Sequence, residues 1–336
     1  MDIVRDYNLK DLNTFGIVAH AKYFVVLEHE TDITALFATP EFKDNKRLFL
    51  GGGSNVLFTG DFDGIVILNK LKGVEIIHDD GEQVSIKIMG GEIWHDVVIF
   101  AVEHNLWGIE NLSLIPGTAG ATPIQNIGAY GVELKDTLES AEGYDVETGV
   151  KKIFSREECK LGYRDSIFKN DLKGKYFITS LTLTLNKIPQ PNISYKILQN
   201  YLQEHNIEEN LKNISDAVSA IRKSKLPDPK EIGNAGSFFK NTFVDAETLK
   251  KLQLQYPDIS YFEEDGIIKI PSGWLIEQCG FKGMRFGTVG VHAKQALVLV
   301  NHGGATGGEV RDLAYKIIDT VKEKFGLTLE PEVNII

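Results

Sequence analysis

Apolar and β-branched positions cluster in AKYFVVLE (21–28), which predicts a strand, and ETDITALFAT after it predicts a helix. RLFL (47–50) predicts a second short strand that runs straight into GGGSN, and GIVILN (64–69) a third. This strand–helix–strand order predicts a small α/β domain ending near residue 68. QVSIKIM (83–89) alternates as a strand does, whereas EIWHDVVIFAVEHN (92–105) sets Ile93, Val97, Phe100, Ala101 and His104 at helical spacing. Strand-like segments follow at 138–146, 150–154 and 176–186, and a polar helical stretch at 195–223. KLPDPKEIG (225–233), with two prolines and a glycine, marks a domain boundary. Beyond it the pattern predicts a helix at 245–253, a strand at 267–270, and helices at 273–279 and 308–325. EEDGIIK reads as a turn and then a strand, and no internal repeat or low-complexity tract stands out.

At 336 residues the chain exceeds one ordinary core, so two or three domains are expected. Apolar runs such as LVLV (297–300) are too short to span a bilayer, and MDIVRDYNLK lacks the apolar centre of a signal peptide. Two cysteines, Cys159 and Cys279, make neither a disulfide framework nor a four-thiolate zinc site, and a reducing cytoplasm is the expected compartment. A net charge of -11 argues against nucleic-acid binding and leaves room for a small anionic ligand held by local cations.

Three glycine-rich stretches carry the candidate chemistry. LFLGGGSNVLF brings Gly51, Gly52, Gly53, Ser54 and Asn55 to a turn after a strand. It lacks the lysine of a P-loop and the third glycine of the dinucleotide fingerprint, where Val56 stands. By spacing it is either a phosphate cradle or a tight turn. LSLIPGTAGATPIQNIGAYGVEL (112–134) is long, small and poor in charge, which suits close approach to a flat polar ligand better than a surface loop. GNAGSFFKN (233–241) holds one hydroxyl, Ser237, ahead of two phenylalanines. It is either a glycine turn entering a buried strand or a proton donor kept from water.

LGGGSNVLF, IPGTAGATPIQNIGAYGVEL, GYRDSIFK, KLPDPKEIGNAGSFFKN, GWLIEQCGFKGM, VHAKQALVLVN and LEPEV occur in that order. Together, from NTFGI at 13 to Glu332, they resemble the UDP-N-acetylenolpyruvoylglucosamine reductase family in its longer form. The resemblance implies an α+β fold: a two-part FAD-binding α/β module of the vanillyl-alcohol-oxidase/PCMH type plus a smaller α/β substrate-binding domain. The implied domains are FAD-binding residues 1–68, with 327–336 as a candidate completion, FAD-binding residues 69–224, and substrate-binding residues 225–326.

The same resemblance implies non-covalent FAD, NADPH as co-substrate, and UDP-N-acetylglucosamine enolpyruvate as the acceptor, in a cytoplasmic monomer. Gly51 to Asn55 are implied to hold the pyrophosphate, and Pro116, Gly117, Gln125, Asn126, Ile127 and Gly128 the isoalloxazine, with Arg222 reaching flavin or substrate. Arg164 matches the arginine that faces the substrate carboxylate, Glu332 the glutamate that organises it, and Ser237 the serine that delivers a proton to carbon. A guanidinium suits a carboxylate because it binds with two donors and stays charged. Tyr130, Tyr163, Tyr195, Lys225, Asn241 and Gln295 match substrate-contacting positions. For Lys225, Tyr195 and Gln295 the plain alternatives are a helix-end cation, a half-buried helix residue and a solvated side chain.

Other residues carry no chemistry. His95 and His104 read as packing or surface positions, His292 has no second ligand at metal spacing, Cys279 is a small hydrophobe, and Trp94, Trp107 and Trp274 are core; no metal site is expected. Two positions depart from the family: Asn334 stands where an arginine is frequent, and the sequence stops at Ile336. Both bear on flavin contacts and on the strand that carries Glu332. The competing functions are a related FAD oxidase of another small substrate and a non-catalytic nucleotide-sugar binding protein.

Overall fold

The computed structural model describes residues 1–264 and 266–336, and it divides into two compact units. The first comprises Met1–Tyr7, Ala21–Gly53 and Phe62–Ser224, and the second Asn8–His20, Ser54–Asp61 and Lys225–Ile336.

In the first unit, strand His20–Leu27 pairs in parallel with Phe62–Asn69, which pairs in parallel with Lys46–Leu50; Val4–Asn8 lies at the far edge. Helix Ile33–Ala38 provides the crossover, and Val25, Leu27, Ile33, Leu36, Ile65 and Ile67 bury its apolar face on the sheet. The unit's second sheet is antiparallel, ordered Lys151–Ser155, Leu138–Asp145, Tyr176–Asn186, Gln83–Met89, Val74–Asp79. Helix Trp94–Glu103 packs on it through Trp94, Val97, Val98 and Ala101. Ile93, expected on this face, is instead exposed: it is the N-cap, and the first helical slot passes to Trp94, whose indole N–H donates to Leu112 O at 3.1 Å.

The helical stretch expected over 195–223 is two helices, Lys196–Glu204 and Leu211–Lys225. The break is a C-cap that the chain uses twice, in FAVEHNL (100–106) and YLQEHNI (201–207). In each, the histidine stacks on the aromatic ring four residues back, and the following asparagine is left-handed (Asn105 φ 55°, Asn206 φ 50°). Leu106 N–H and Ile207 N–H then reach back to Ala101 O and Leu202 O, which closes the helix end.

In the second unit an antiparallel sheet runs Gly233–Ser237, Val298–Asn301, Val289–Val291, Arg285–Phe286. Helix Gly307–Phe325 opens on a capping box between Thr306 and Glu309 and closes on left-handed Gly326. Its face of Val310, Leu313, Ile317 and Val321 joins a core with Phe238, Phe239, Leu275, Ile276 and Leu299. A three-stranded sheet (Thr242–Val244, Ile267–Ile270, Phe262–Glu264) and helices Ala246–Gln255 and Ser272–Gln278 complete the unit. The strand expected at 267–270 is present; the turn expected in EEDGIIK includes Asp265, which lies outside the described residues. Near its end the chain pairs Asn334–Ile335 in parallel with Val56–Leu57.

Candidate active site

The glycines of the first unit are explained by contact between backbones. A Cβ on Gly51 would stand 2.3 Å from Thr118 Oγ1, one on Gly52 2.9 Å from Gly117 Cα, and one on Gly120 3.0 Å from Gly90 Cα. The turn after strand Lys46–Leu50 and the segment 117–120 therefore lie against each other, Gly52 on the Gly117 backbone and Gly51 on the Thr118 hydroxyl. Thr118 Oγ1 is buried there without a hydrogen-bond partner among the described residues. A buried hydroxyl without a partner is costly unless a ligand completes it. A turn of glycine peptides plus an unspent hydroxyl fits the phosphate-bearing part of a nucleotide cofactor such as FAD. Thr118 was not among the residues singled out from sequence; its only signal there is its place between the two glycines of PGTAG.

The tract 112–134 is ordered by two local devices. Ala119–Ile124 forms a 3₁₀ turn that ends at Gln125, and Gly128–Ala129 pairs with Val132–Glu133 in a hairpin. The hairpin's two turn residues, Tyr130 (φ 50°) and Gly131 (φ 85°), are both left-handed, as a type I′ turn requires. Asn111 Nδ2 holds the Tyr130 carbonyl at 2.8 Å, and the Tyr130 ring meets Tyr195 edge-on at 5.5 Å. Asn126, also left-handed at φ 45° and fully buried, spends its side chain on the protein: it donates to Gly162 O at 2.9 Å and Glu133 Oε2 at 3.0 Å, and accepts from Lys135 N–H. Ile127 is buried in the unit's core. Its backbone is engaged as well: the N–H donates to Thr122 O at 3.2 Å, and the carbonyl accepts from Leu134 N–H at 2.8 Å.

Through Gly162, Asn126 supports the turn that carries Arg164. Gly162 and Asp165 exchange both backbone hydrogen bonds (3.0 and 3.2 Å), leaving Tyr163 and Arg164 at the tip. Arg164 is left-handed at φ 52°, its carbonyl accepts from Lys169 Nζ, and its guanidinium donates to Gly128 O at 3.0 Å. For an arginine this backbone costs roughly 1–2 kcal/mol. Arg222, on helix Leu211–Lys225, donates from Nε to Leu114 O at 3.3 Å. Burial, with Arg164 nearby, pushes the Arg222 guanidinium below its ordinary value, against a smaller opposing effect of Tyr130. Burial chiefly raises the Tyr130 phenol, with Arg222 working the other way. Arg164, Arg222, Tyr130 and Tyr195 thus form one neighbourhood of two cations and two phenols, an arrangement that favours an anionic ligand.

In the second unit the question raised by GNAGSFFKN has a geometric answer. A Cβ on Gly233 would meet Phe15 O at 2.2 Å, so only glycine fits. Asn234 pins the strand to Pro227 O and Ile232 O, and its Oδ1 accepts the Gly236 amide at 2.9 Å. The register then slips: Asn234 faces Val300 but Ser237 faces Val298, with left-handed Gly236 (φ 67°) between. This is a β-bulge, a device that re-aims the side chain after it. Ser237 ends the strand half-buried, while Phe238 and Phe239 sink into the core beneath it, 0% and 1% exposed. The strand spans Gly233–Ser237, so its glycines lie within it and not in a turn ahead of it.

The same backbone meets the segment of Glu332. Phe238 O accepts from Glu332 N–H at 2.8 Å, Lys240 N–H donates to Glu330 O at 3.0 Å, and Phe239 bridges Pro331. Asn55 Nδ2 donates to Glu332 O at 3.3 Å, and its own carbonyl accepts from Asn334 N–H at 3.1 Å and Asn334 Nδ2 at 3.0 Å. Asn334 therefore anchors the terminal strand. Asn241 Oδ1 accepts from Ser272 N–H at 3.2 Å, and the next residue, Gly273, has Gln295 Oε1 beside it. Lys225 is the last residue of its helix, and Tyr195 is the N-cap of helix Lys196–Glu204. Cys159 is buried with its thiol pushed up to about 12, and Cys279 is half-buried with its thiol also raised by burial. Among the described residues no cluster of acidic, histidine and cysteine side chains could hold a metal ion.

Residues 228–336 match the UDP-N-acetylenolpyruvoylglucosamine reductase C-terminal domain, and residues 21–150 match an FAD binding domain. UDP-N-acetylenolpyruvoylglucosamine reductases from Flavobacterium johnsoniae and Porphyromonas gingivalis are each 47% identical over the full length of both chains. The crystal structure of UDP-N-acetylenolpyruvylglucosamine reductase from Thermus caldophilus superposes with a TM-score of 0.66, covering 99% of this chain and 98% of that one, at 23% identity, a likeness of fold. The fold is thus α+β with an FAD-binding module, as the motifs implied. With two domain matches that cover both glycine-rich loops and the serine strand, and relatives aligned from end to end, this chain belongs to the UDP-N-acetylenolpyruvoylglucosamine reductase family.

Proposed function

We infer that the chain is a flavin oxidoreductase that uses NADPH to reduce the enolpyruvyl group of UDP-N-acetylglucosamine enolpyruvate, giving UDP-N-acetylmuramate for peptidoglycan synthesis. Bound FAD supplies the chemistry of hydride transfer. The cradle of Gly51, Gly52, Gly53, Ser54 and Asn55 is assigned to its phosphates, and Pro116, Gly117, Gln125, Asn126, Ile127, Gly128 and Arg222 to the rest of the cofactor. Residues 1–68, completed by 327–336, and 69–224 are assigned to cofactor binding, and 225–326 to substrate.

Arg164 is the group assigned to the substrate carboxylate. As hydride arrives at the terminal carbon of the double bond, charge moves towards that carboxylate, and a fixed guanidinium stabilises it. Ser237 donates its hydroxyl proton to the neighbouring carbon, which completes the addition of a hydride and a proton across the bond. A serine hydroxyl is a weak acid, so it serves only against a strongly basic carbon and only when aligned. Glu332 is assigned to organising and polarising this centre. Tyr130, Tyr163, Tyr195, Lys225, Asn241 and Gln295 are assigned to the nucleotide sugar.

The observation that carries these roles is the bulge at Gly236, which re-aims Ser237 at the end of its strand, next to Phe238, whose carbonyl accepts from the Glu332 N–H. The test is anaerobic. NADPH should bleach the flavin of the holoenzyme, and UDP-N-acetylglucosamine enolpyruvate should restore its colour. Restoration by oxygen alone would point to an oxidase, and a colourless protein to nucleotide-sugar binding. No helix among the described residues is long and apolar enough to cross a membrane. We assign the enzyme to the cytoplasm, where NADPH is made, and to the monomeric state, which light scattering of the purified chain would contradict by reading a dimer's mass.

A further inference from the structure

Segment 112–119 connects the cofactor cradle to Arg222, and it is gripped from two sides. From helix Trp94–Glu103 and the turn before it, Trp94 Nε1 donates to Leu112 O, Trp94 N–H to Gly117 O at 3.1 Å, and Glu92 O accepts from Ala119 N–H at 2.8 Å. From helix Leu211–Lys225, Ser215 Oγ meets Ser113 Oγ at 2.7 Å, and both hydroxyls are buried. Between these grips stands Leu114, left-handed at φ 58°. Leucine has no side-chain polar group to stabilise that conformation, so its neighbours must hold it. Both of its peptide groups are engaged. Its N–H donates to His95 Nδ1 at 3.0 Å, and its carbonyl accepts from Arg222 Nε at 3.3 Å.

We propose that His95 is a positioning residue of the active site, its imidazole fixing Arg222 through the strained Leu114 peptide. The inference deepens the functional reading above and rests on its assignment of Arg222. The chemistry has a direction. Nδ1 can accept from Leu114 only in the neutral ring with its proton on Nε2; a second proton puts N–H against N–H and releases the clamp. The charged groups that face the ring are Arg222 and Lys223 from helix Leu211–Lys225 and Asp96 from its own helix. Burial, helped by the two cations and opposed by Asp96, holds the imidazole below its ordinary value, so the accepting form prevails near neutrality.

The experiment compares holoenzymes carrying His95→Leu, His95→Asn, Arg222→Ala and the double change His95→Leu/Arg222→Ala. Two quantities are read against pH: the rate of FAD release, by fluorescence, and the rate of flavin reoxidation by UDP-N-acetylglucosamine enolpyruvate. Arg222→Ala should worsen at least one of them, and His95→Leu should worsen the same one by roughly ten- to a hundredfold, the size expected for a hydrogen bond that orients a charge. The double variant should be no worse than Arg222→Ala alone, because the two residues act through one path. His95→Asn places a neutral acceptor where Nδ1 stood. It should keep wild-type rates near neutrality and lose the wild-type decline on the acid side. Additive losses, a wild-type rate in His95→Leu, no effect of Arg222→Ala, or an acid limb that survives in His95→Asn each overturn the proposal. A wild-type holoenzyme that the sugar fails to reoxidise would instead sink the functional reading, while FAD release still decides the role of His95.

Discussion

Replacing Gly236 with alanine isolates what the backbone contributes to the serine. Gly236 sits at φ 67° in the bulge, and a Cβ built there meets nothing within 4 Å. The substitution therefore adds no clash, only the left-handed strain of a residue with a Cβ, about 1–2 kcal/mol. The bulge is restrained on both sides, by Asn234 Oδ1 on the Gly236 amide at 2.9 Å and by the Phe238 amide on Leu297 O at 2.7 Å. If the chain keeps its geometry, it loses that stability and nothing else. If it relaxes, Ser237 turns, because it is the residue between those two anchors. A misplacement of about 1 Å in a proton donor costs on the order of a hundredfold in rate. The expected result is a urea midpoint lowered in keeping with about 1 kcal/mol, unchanged flavin reduction by NADPH, and reoxidation by the enolpyruvyl sugar slowed at least about tenfold. Stopped-flow absorbance of the flavin under argon reads both half-reactions separately. Reoxidation at the wild-type rate in a measurably destabilised protein would refute the reasoning, since the bulge would then be strain without consequence for Ser237.

Ser237→Ala should leave reduction by NADPH intact and slow reoxidation by about two orders of magnitude or more, and equal loss in both half-reactions would remove the serine from the proton transfer. Gly52→Ala sets a Cβ 2.9 Å from Gly117 Cα, a backbone atom that cannot swing aside, so the cradle must open. Retention of FAD, followed as yellow colour through gel filtration, should fall at least about tenfold, and full retention would detach the cradle from the cofactor. Burial raises the carboxyl of Glu110, against the pull of the Gly108, Ile109 and Glu110 amides, so the folded chain binds its proton more tightly than the unfolded chain. Stability from this group is then present below the ordinary carboxylate value of 4.5 and is lost as pH rises towards the raised one. Thermal melts from about pH 5 to about pH 8 should show Glu110→Gln gaining on the wild type as pH rises; parallel curves would mean that Glu110 titrates normally.

Much of this architecture is legible from periodicity, and the failures have local causes. Strands Phe62–Asn69 and Tyr176–Asn186 are readable as runs rich in apolar and β-branched residues, buried on both faces, and helix Gly307–Phe325 by the apolar face it buries at helical period. Strand Val74–Asp79 escaped because it is a sheet edge whose residues after Val74 are all exposed, so no alternation is written into it. The stretch 195–223 read as one helix because Asn206 gives no sign by itself of being left-handed; only the match of YLQEHNI to FAVEHNL betrays the cap. For the site, Gly51 to Gly53 and Ser237 stand out as residue types, but their reasons are tertiary. Neither the Thr118 hydroxyl that a Cβ on Gly51 would strike nor the Phe15 carbonyl that fixes Gly233 is written near those glycines. His95 was read as a packing position because its partner, Leu114, lies 19 residues on and is ordinary in everything except its φ.

Among the described residues, four of the eight non-glycine residues at positive φ lie where function is assigned, while Asn105 and Asn206 close helices. Leu114, Asn126, Tyr130 and Arg164 all lie in or beside the proposed cofactor tract and the arginine turn. Such conformations persist only where the surroundings over-determine them. Here the surroundings are specific: the His95 ring on the Leu114 amide, Glu133 and Gly162 on the Asn126 side chain, Asn111 on the Tyr130 carbonyl, and Lys169 on the Arg164 carbonyl. In the second unit Gly236 is held in the same way between Asn234 and a strand end whose two phenylalanines are sealed in the core. A weak acid such as a serine hydroxyl, and a cation that must meet one carboxylate, gain little from being numerous and much from being fixed. Side-chain packing fixes a side chain only as well as its backbone is fixed, so a fold that stiffens its peptide groups by trapping them in unfavourable wells limits how far the functional groups can drift. The strain is thus a consequence of where orientation matters most, and it explains why the residues that secure it, such as His95 and Asn111, need never touch the substrate themselves.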